Sequence, residues 1–197
     1  IGKKHIVTSP TEHDSVLRAI EAVCKPLSCN NEKCIKDEFY TTFLPVDRYG
    51  HISVSNFDRD ISNYDDIGLT SVMCVNNEVG VLNSIEHIGY ACRKKNILFH
   101  TDCVQAAGVV KLDVKKMFCD FMSISSHKIH GPKGVGALYV RNKEILSAII
   151  NGGAEQEYGL RGGTENVANI VGFGEACELA SKGMDDYTKT VTYYKRR

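Results

Sequence analysis

The chain is 197 residues long, 43% hydrophobic and 24% charged, with 24 basic and 24 acidic residues that cancel at neutral pH. That length allows one large domain with a real core, and the cancelled charge leaves no long-range field to gather nucleic acid or an anionic membrane. No apolar run reaches the roughly 18 residues a membrane span needs, and the stretch after Lys3-Lys4 is too short for a signal peptide.

Short β-branched runs alternate with helical patterns along the chain, the signature of βαβ units and a largely parallel sheet. The first strand is expected at His5–Thr8. A strand under way this early is expected of a fragment, placed in the cytoplasm, or in the mitochondrion if an upstream segment carries a transit peptide. Thr11-Glu12-His13 then opens a helix over His13–Val23 with leucine, isoleucine and valine at helical spacing. His13 there is either a cap or a ring that stacks on a flat aromatic ligand. Lys25–Glu38, with adjacent asparagines, reads as a surface insertion before a strand at Thr42–Pro45. Asn56–Asp66 is polar and acidic, as in a short helix and loop.

Further strands are expected at Leu69–Val75, Ile97–Thr101, Cys119–Ser125 and Gly136–Arg141, with a helix over Ile85–Lys95 and a last helix from Val167 to about Ser181, stopping near Gly183. The basic end, Tyr193-Tyr-Lys-Arg-Arg197, reads as a solvated helix terminus. Of the eight cysteines, Cys74, Cys92, Cys103, Cys119 and Cys177 lie inside apolar runs, as buried free thiols of a reducing compartment do. Cys24, Cys29 and Cys34 share a five-residue spacing but lack the close pairs of a zinc site. They are read as loop thiols, and no metal is expected.

Ligands of an open α/β sheet bind at the carboxyl ends of its strands, so the residues just past each strand carry the chemistry. Asn76-Asn77-Glu78-Val79-Gly80 follows one strand as a turn. Asp102 ends another, either as a helix N-cap or as a buried carboxylate that keeps a pyridine nitrogen protonated. Gln105, one turn on, projects to the same side. Ser123, Ser125 and His127 share one face on a two-residue period, and Lys128 stands at the exit. A lysine there can be desolvated, which lowers its pKa and frees its amine to attack a carbonyl. The hydroxyls around it can hold a phosphate, and the two needs meet in pyridoxal phosphate. Gly131-Pro-Lys-Gly134-Val-Gly136 precedes a strand, where a dinucleotide loop would lie between strand and helix. Gly152–Asn166 is a glycine-rich loop in which Thr164 is either connector or N-cap over an anion site.

Five motifs in order, Thr11-Glu-His13, Val75-Asn-Asn77-Glu-Val-Gly80, His100-Thr-Asp102-Cys-Val-Gln105, Ser125-Ser-His-Lys128-Ile-His-Gly-Pro-Lys-Gly134 and Leu160-Arg-Gly-Gly-Thr164-Glu-Asn166, resemble the cysteine desulfurase and selenocysteine lyase family of the class V aminotransferase group. The resemblance implies a three-layer α/β/α fold with a mainly parallel sheet, the large domain of a fold-type I pyridoxal-phosphate transferase, incomplete at both ends. The whole chain, 1–197, is then the central part of that domain, with the small C-terminal domain absent. By the same resemblance Lys128 would carry the cofactor, Asp102 would meet its pyridine nitrogen and Gln105 its phenolic oxygen. His13 would stack on the ring and transfer protons, Ser125 and His127 would hold the phosphate, and Asn77 would lie near cofactor and substrate. Thr164 would reach the phosphate of a neighbouring subunit, which implies a homodimer.

The implied reaction removes sulfur from cysteine, leaving alanine and an enzyme persulfide to be passed to an acceptor protein for iron–sulfur assembly or thiolation. The alternatives are selenium release from selenocysteine, and a catalytically inactive piece that only binds or dimerises. The mobile-loop cysteine and the carboxylate-binding arginine of the family find no match in the chain. Ser126 stands where the family usually has glycine, and Cys103 where it has alanine.

Overall fold

The computed structural model describes residues 2–26 and 39–196. Seven strands form one sheet in the order β2-β3-β1-β4-β5-β6-β7. They are β1 (His5–Thr8), β2 (Cys24–Pro26), β3 (Phe39–Phe43), β4 (Ile67–Ser71), β5 (Leu98–Asp102), β6 (Phe121–Ser125) and β7 (Gly136–Val140). All pair in parallel except β7, which runs antiparallel to β6. The helices are α1 (Asp14–Val23), α2 (Val54–Ser62), α3 (Ile85–Lys94) and α4 (Val167–Lys195).

Every residue of β1 is buried, as a central strand covered on both faces requires. On one face α1 sets Val16 and Ile20 against Ile6, Cys24 and Leu69. On the other, Phe57 and Ile61 of α2 and Ile85, Ile88 and Cys92 of α3 pack with Val7, Val72, Phe99 and Cys119. Phe173 and Ala176 of α4 close a third cluster with Ile129 and Ile124. The expected three-layer architecture with a mainly parallel sheet is therefore present.

Several boundaries differ from expectation, each for a local reason. The run expected as a strand through Val75 leaves β4 at Ser71, yet its ladder bonds persist: Val72 N–H donates to His100 O (3.2 Å) and Cys74 N–H to Asp102 O (2.8 Å). β3 begins at Phe39, earlier than expected, and its pairing lasts until Leu44 N–H meets Thr8 O (2.7 Å). Pro45 follows and has no N–H to continue. Helix α4 runs through Gly183, where a stop was expected. A glycine among good helix formers costs only about 1 kcal/mol and does not end a helix alone. Cys24, expected in a loop, is buried in β2, whereas Cys29, Cys34 and most of the Lys25–Glu38 stretch lie outside the described residues.

β5 is anchored at its start by Asp120, whose side chain is 2% exposed. Asp120 Oδ2 accepts from Phe99 N–H (2.9 Å), and Oδ1 accepts from Arg141 Nε (2.6 Å) at the end of β7. One carboxylate thus ties β5 to the antiparallel β6–β7 edge. That edge also needs Gly136, where a Cβ would come 2.7 Å from Ile124 O. Asp120→Ala leaves the buried Phe99 N–H without its acceptor, while Arg141, 44% exposed, turns to water. The substitution is expected to cost about 1–3 kcal/mol, read as a shifted denaturation midpoint with an unchanged slope; a loss below about 0.5 kcal/mol would show that the carboxylate is not the anchor.

Candidate active site

The polar residues converge where β1, β4, β5 and β6 end. Past β1, Ser9 Oγ accepts from Thr11 N–H (3.1 Å) and turns the chain into α1. His13 is the α1 N-cap: its Nδ1 accepts from Ser15 N–H (3.1 Å), so the proton of a neutral ring sits on the outward Nε2. The ring is exposed.

Between these two turns lies Glu12, which carried no role in the motif reading. Its side chain is buried, Oε1 accepts from Met73 N–H (2.6 Å) past β4, and Oε2 has no partner. Burial pushes this carboxyl up to about 8, helped by the charge of Asp102 and opposed by the Met73 hydrogen bond. Asn76, equally unassigned by sequence, completes the joint. Its Nδ2 donates to Thr11 O (2.8 Å) while its Oδ1 accepts from Glu78 N–H (2.9 Å) and Val79 N–H (2.8 Å). That fold of the turn leaves the neighbouring Asn77 exposed at the rim.

Asp102 ends β5 with 6% of its surface exposed. Its Oδ1 accepts from Val104 N–H (2.8 Å), the first of a set of turns over residues 104–109 that carries the half-buried Gln105. The structure makes Asp102 the head of a run of turns, in which Ala106 and Ala107 N–H both donate to Cys103 O (3.0 and 2.9 Å). Asp102 opens on a groove of about 480 Å³ between α1 and the sheet, lined also by Ser71, His100, Val104 and Ser123. That volume lies within the roughly 300–1,000 Å³ of small-molecule sites.

Past β6, Ser125 Oγ and His127 Nδ1 are 2.8 Å apart. Lys128 follows in a single 3₁₀ turn, Ser126–Ile129, that His130 ends in the left-handed region (φ 66°). His127 and Lys128 are both exposed. The desolvated lysine expected from sequence is therefore not desolvated by the described residues. Thr164 is exposed on the loop before α4, and the N-cap of that helix is Asn166, whose side chain accepts from Asn169 N–H (3.4 Å). No hydrogen bond among the described residues joins Thr164 to the strand ends. Its loop is closed instead by Gln156, whose Oε1 accepts from Gly153 and Gly163 N–H (3.0 and 2.8 Å).

The described cysteines are poor nucleophiles. Burial pushes Cys92 up to about 12 and Cys119 up to about 11, and it raises Cys177 as well. Cys103 is raised first by its hydrogen bond to Cys74 and then by burial. Cys74, lowered because Cys103 donates to it, is buried. Among the described residues no cluster of three or more His, Cys, Asp or Glu side chains is placed to hold a metal ion, and no helix is long and apolar enough to cross a membrane.

The profile of the class-V aminotransferase family matches residues 2–194. A cysteine desulfurase IscS of Clostridium botulinum is 42% identical over 193 residues, covering 98% of this chain and 45% of that protein. A mitochondrial cysteine desulfurase of Arabidopsis thaliana is 46% identical over 185 residues, 93% of this chain and 38% of that protein. The solved structure of a NifS-like protein superposes with a TM-score of 0.80 at 35% identity, covering 93% of this chain and 47% of the other. The chain thus spans less than half the length of these relatives.

Glu12 gives the site a pH signature. A carboxyl raised from 4.5 to about 8 in the fold binds more protons folded than unfolded, so stability falls as pH rises through that window. Denaturant midpoints are expected to drop between pH 5 and 8 in the wild type and to drop less in Glu12→Gln; parallel profiles would show that Glu12 carries no proton.

Proposed function

The chain belongs to the class-V aminotransferase family, and from that premise we propose that the full-length protein is a pyridoxal-phosphate-dependent cysteine desulfurase acting as a homodimer. The observation that carries this reading is Asp102: a buried, acceptor-only carboxylate at the end of a central parallel strand, opening on a groove of ligand size. The donor set fits the cofactor, with an exposed amine on Lys128 and a hydroxyl–imidazole pair, Ser125 and His127, on the adjoining strand exit. Ser125 and His127 would hold the phosphate, Asp102 would meet the ring nitrogen and Gln105 the phenolic oxygen.

Pyridoxal phosphate supplies an aldehyde for exchange with amines and a ring that delocalises a carbanion. Lys128 is the amine that holds it. Asp102 keeps the ring nitrogen protonated, which a buried carboxylate does better than one in water. His13, with Nδ1 engaged by the α1 N-terminus, presents Nε2 as the group that stacks and moves protons. Asn77 lies at the rim, near cofactor and substrate. Thr164, exposed and unbonded to the strand ends, is free to reach the phosphate of a second copy.

Cysteine is the substrate favoured by the relatives' names, and selenocysteine differs from it in one atom. The persulfide is formed on a cysteine outside the described set and passed to an acceptor protein, in the cytoplasm or the mitochondrion. For residues 1–197 alone, the exposure of Lys128 and His13 favours a catalytically silent state.

The purified full-length protein is expected to absorb in the visible and to release alanine from cysteine. Lys128→Ala should lose both, and a protein with neither would sink the proposal. His13→Ala should slow alanine release by about 10²–10⁴-fold, the usual worth of a general acid–base group, while keeping the visible band. Residues 1–197 alone should release no alanine.

A further inference from the structure

A part-buried polar bridge stands beside Asp102 on β5 and has no role in the motif reading. His100 lies two residues before Asp102 on β5, so both side chains stand on one face. Its Nδ1 is 2.8 Å from Ser71 Oγ on β4, and its Nε2 is 3.0 Å from Ser123 Oγ on β6. The register places Ser71 opposite His100 and Ser123 opposite Asp102. The imidazole therefore reaches diagonally to the residue beside Asp102 and ties three neighbouring strands across the groove floor. Ser71 is held in turn by Thr8, whose hydroxyl donates to Ser71 O (3.0 Å), so the tie extends to β1.

We propose that His100 is a positioning residue for Asp102: an imidazole whose two ring nitrogens, bound to Ser71 and Ser123, fix where the carboxylate stands in the groove. Both nitrogens are occupied, so the ring cannot trade protons with a ligand without breaking the bridge. That separates its role from that of a general acid or base. Among the described residues lining the groove His100 is the one basic side chain. Burial lowers the pKa of His100 against the opposing pull of Asp102, which keeps the ring uncharged. A cation there would occupy the carboxylate that the ligand nitrogen needs. Supporting side chains of this kind set the geometry of the groups that touch the ligand.

This inference rests on the proposed pairing of Asp102 with the cofactor ring, and the test is a double-mutant cycle read as affinity. Full-length protein stripped of cofactor is titrated with pyridoxal phosphate, and dissociation constants are measured for the wild type, His100→Phe, Asp102→Asn and the double variant. His100→Phe is expected to weaken binding about tenfold where Asp102 is present, and less than about twofold in Asp102→Asn. His100→Gln, which still offers a donor and an acceptor, should stay within about threefold of the wild type. Equal losses in both Asp102 backgrounds, or no loss at all, would overturn the proposal. A wild type that takes up no cofactor, or an Asp102→Asn protein that binds as tightly as the wild type, overturns the functional reading and this inference together. If His100→Phe does not fold, Ser71→Ala and Ser123→Ala each remove one bond of the bridge. Each should weaken binding about threefold where Asp102 is present and leave Asp102→Asn unchanged.

Discussion

The site depends on the lateral placement of β5 between β4 and β6. A parallel ladder fixes spacing along the sheet, and a slip of one residue would turn every side chain of the strand to the opposite face. β5 is guarded against that slip at two points. Near its start, Asp120 accepts from Phe99 N–H and pairs with Arg141. At its middle, His100 joins Ser71 to Ser123. Asp102 is the residue that this double attachment delivers to the groove, and the ladder bond from Cys74 N–H to its carbonyl holds the backbone beneath it.

The loops over the strand ends are joined to one another by polar contacts. Glu12 takes the Met73 N–H, and Asn76 takes the Glu78 and Val79 N–H groups while donating to Thr11 O. Glu12 satisfies a backbone N–H that would otherwise be buried without a partner, and Asn76 folds the exposed turn that follows. With Glu12 raised to about 8 and His100 lowered, both are largely neutral near pH 7. Asp102 then faces the groove without a competing cation, an arrangement suited to a ligand that brings its own positive centre.

Much of this was legible in the residues. The period of α1, the β-branched runs of β1, β5 and β6, and the polar residue after each of them place Asp102, Ser125 and Lys128 at strand exits, because periodicity and strand polarity are local properties. Glu12, Asn76 and His100 lie within the motifs, yet their roles are not legible there. Their partners, Met73, Thr11, Ser71 and Ser123, sit on other strands or loops, and no local pattern states that a serine 29 residues upstream will accept from or donate to a given histidine. The end of α4 departs from the expected stop for a related reason: Gly183 ends a helix only when the chain after it turns away, and here it stays helical.

The sequence by itself determined the class of fold, the order of the chemical residues and their place at the carboxyl ends of parallel strands. Those follow from side-chain period, β-branching and turn chemistry over a few residues. Only the tertiary structure decided which side chains are buried and which carry charge. Lys128 and His13 stand exposed while Glu12 lies inside, and His100 is drawn between two serines. Burial and protonation depend on what the rest of the chain brings within a few ångströms. That is set by the pairing of strands far apart in sequence.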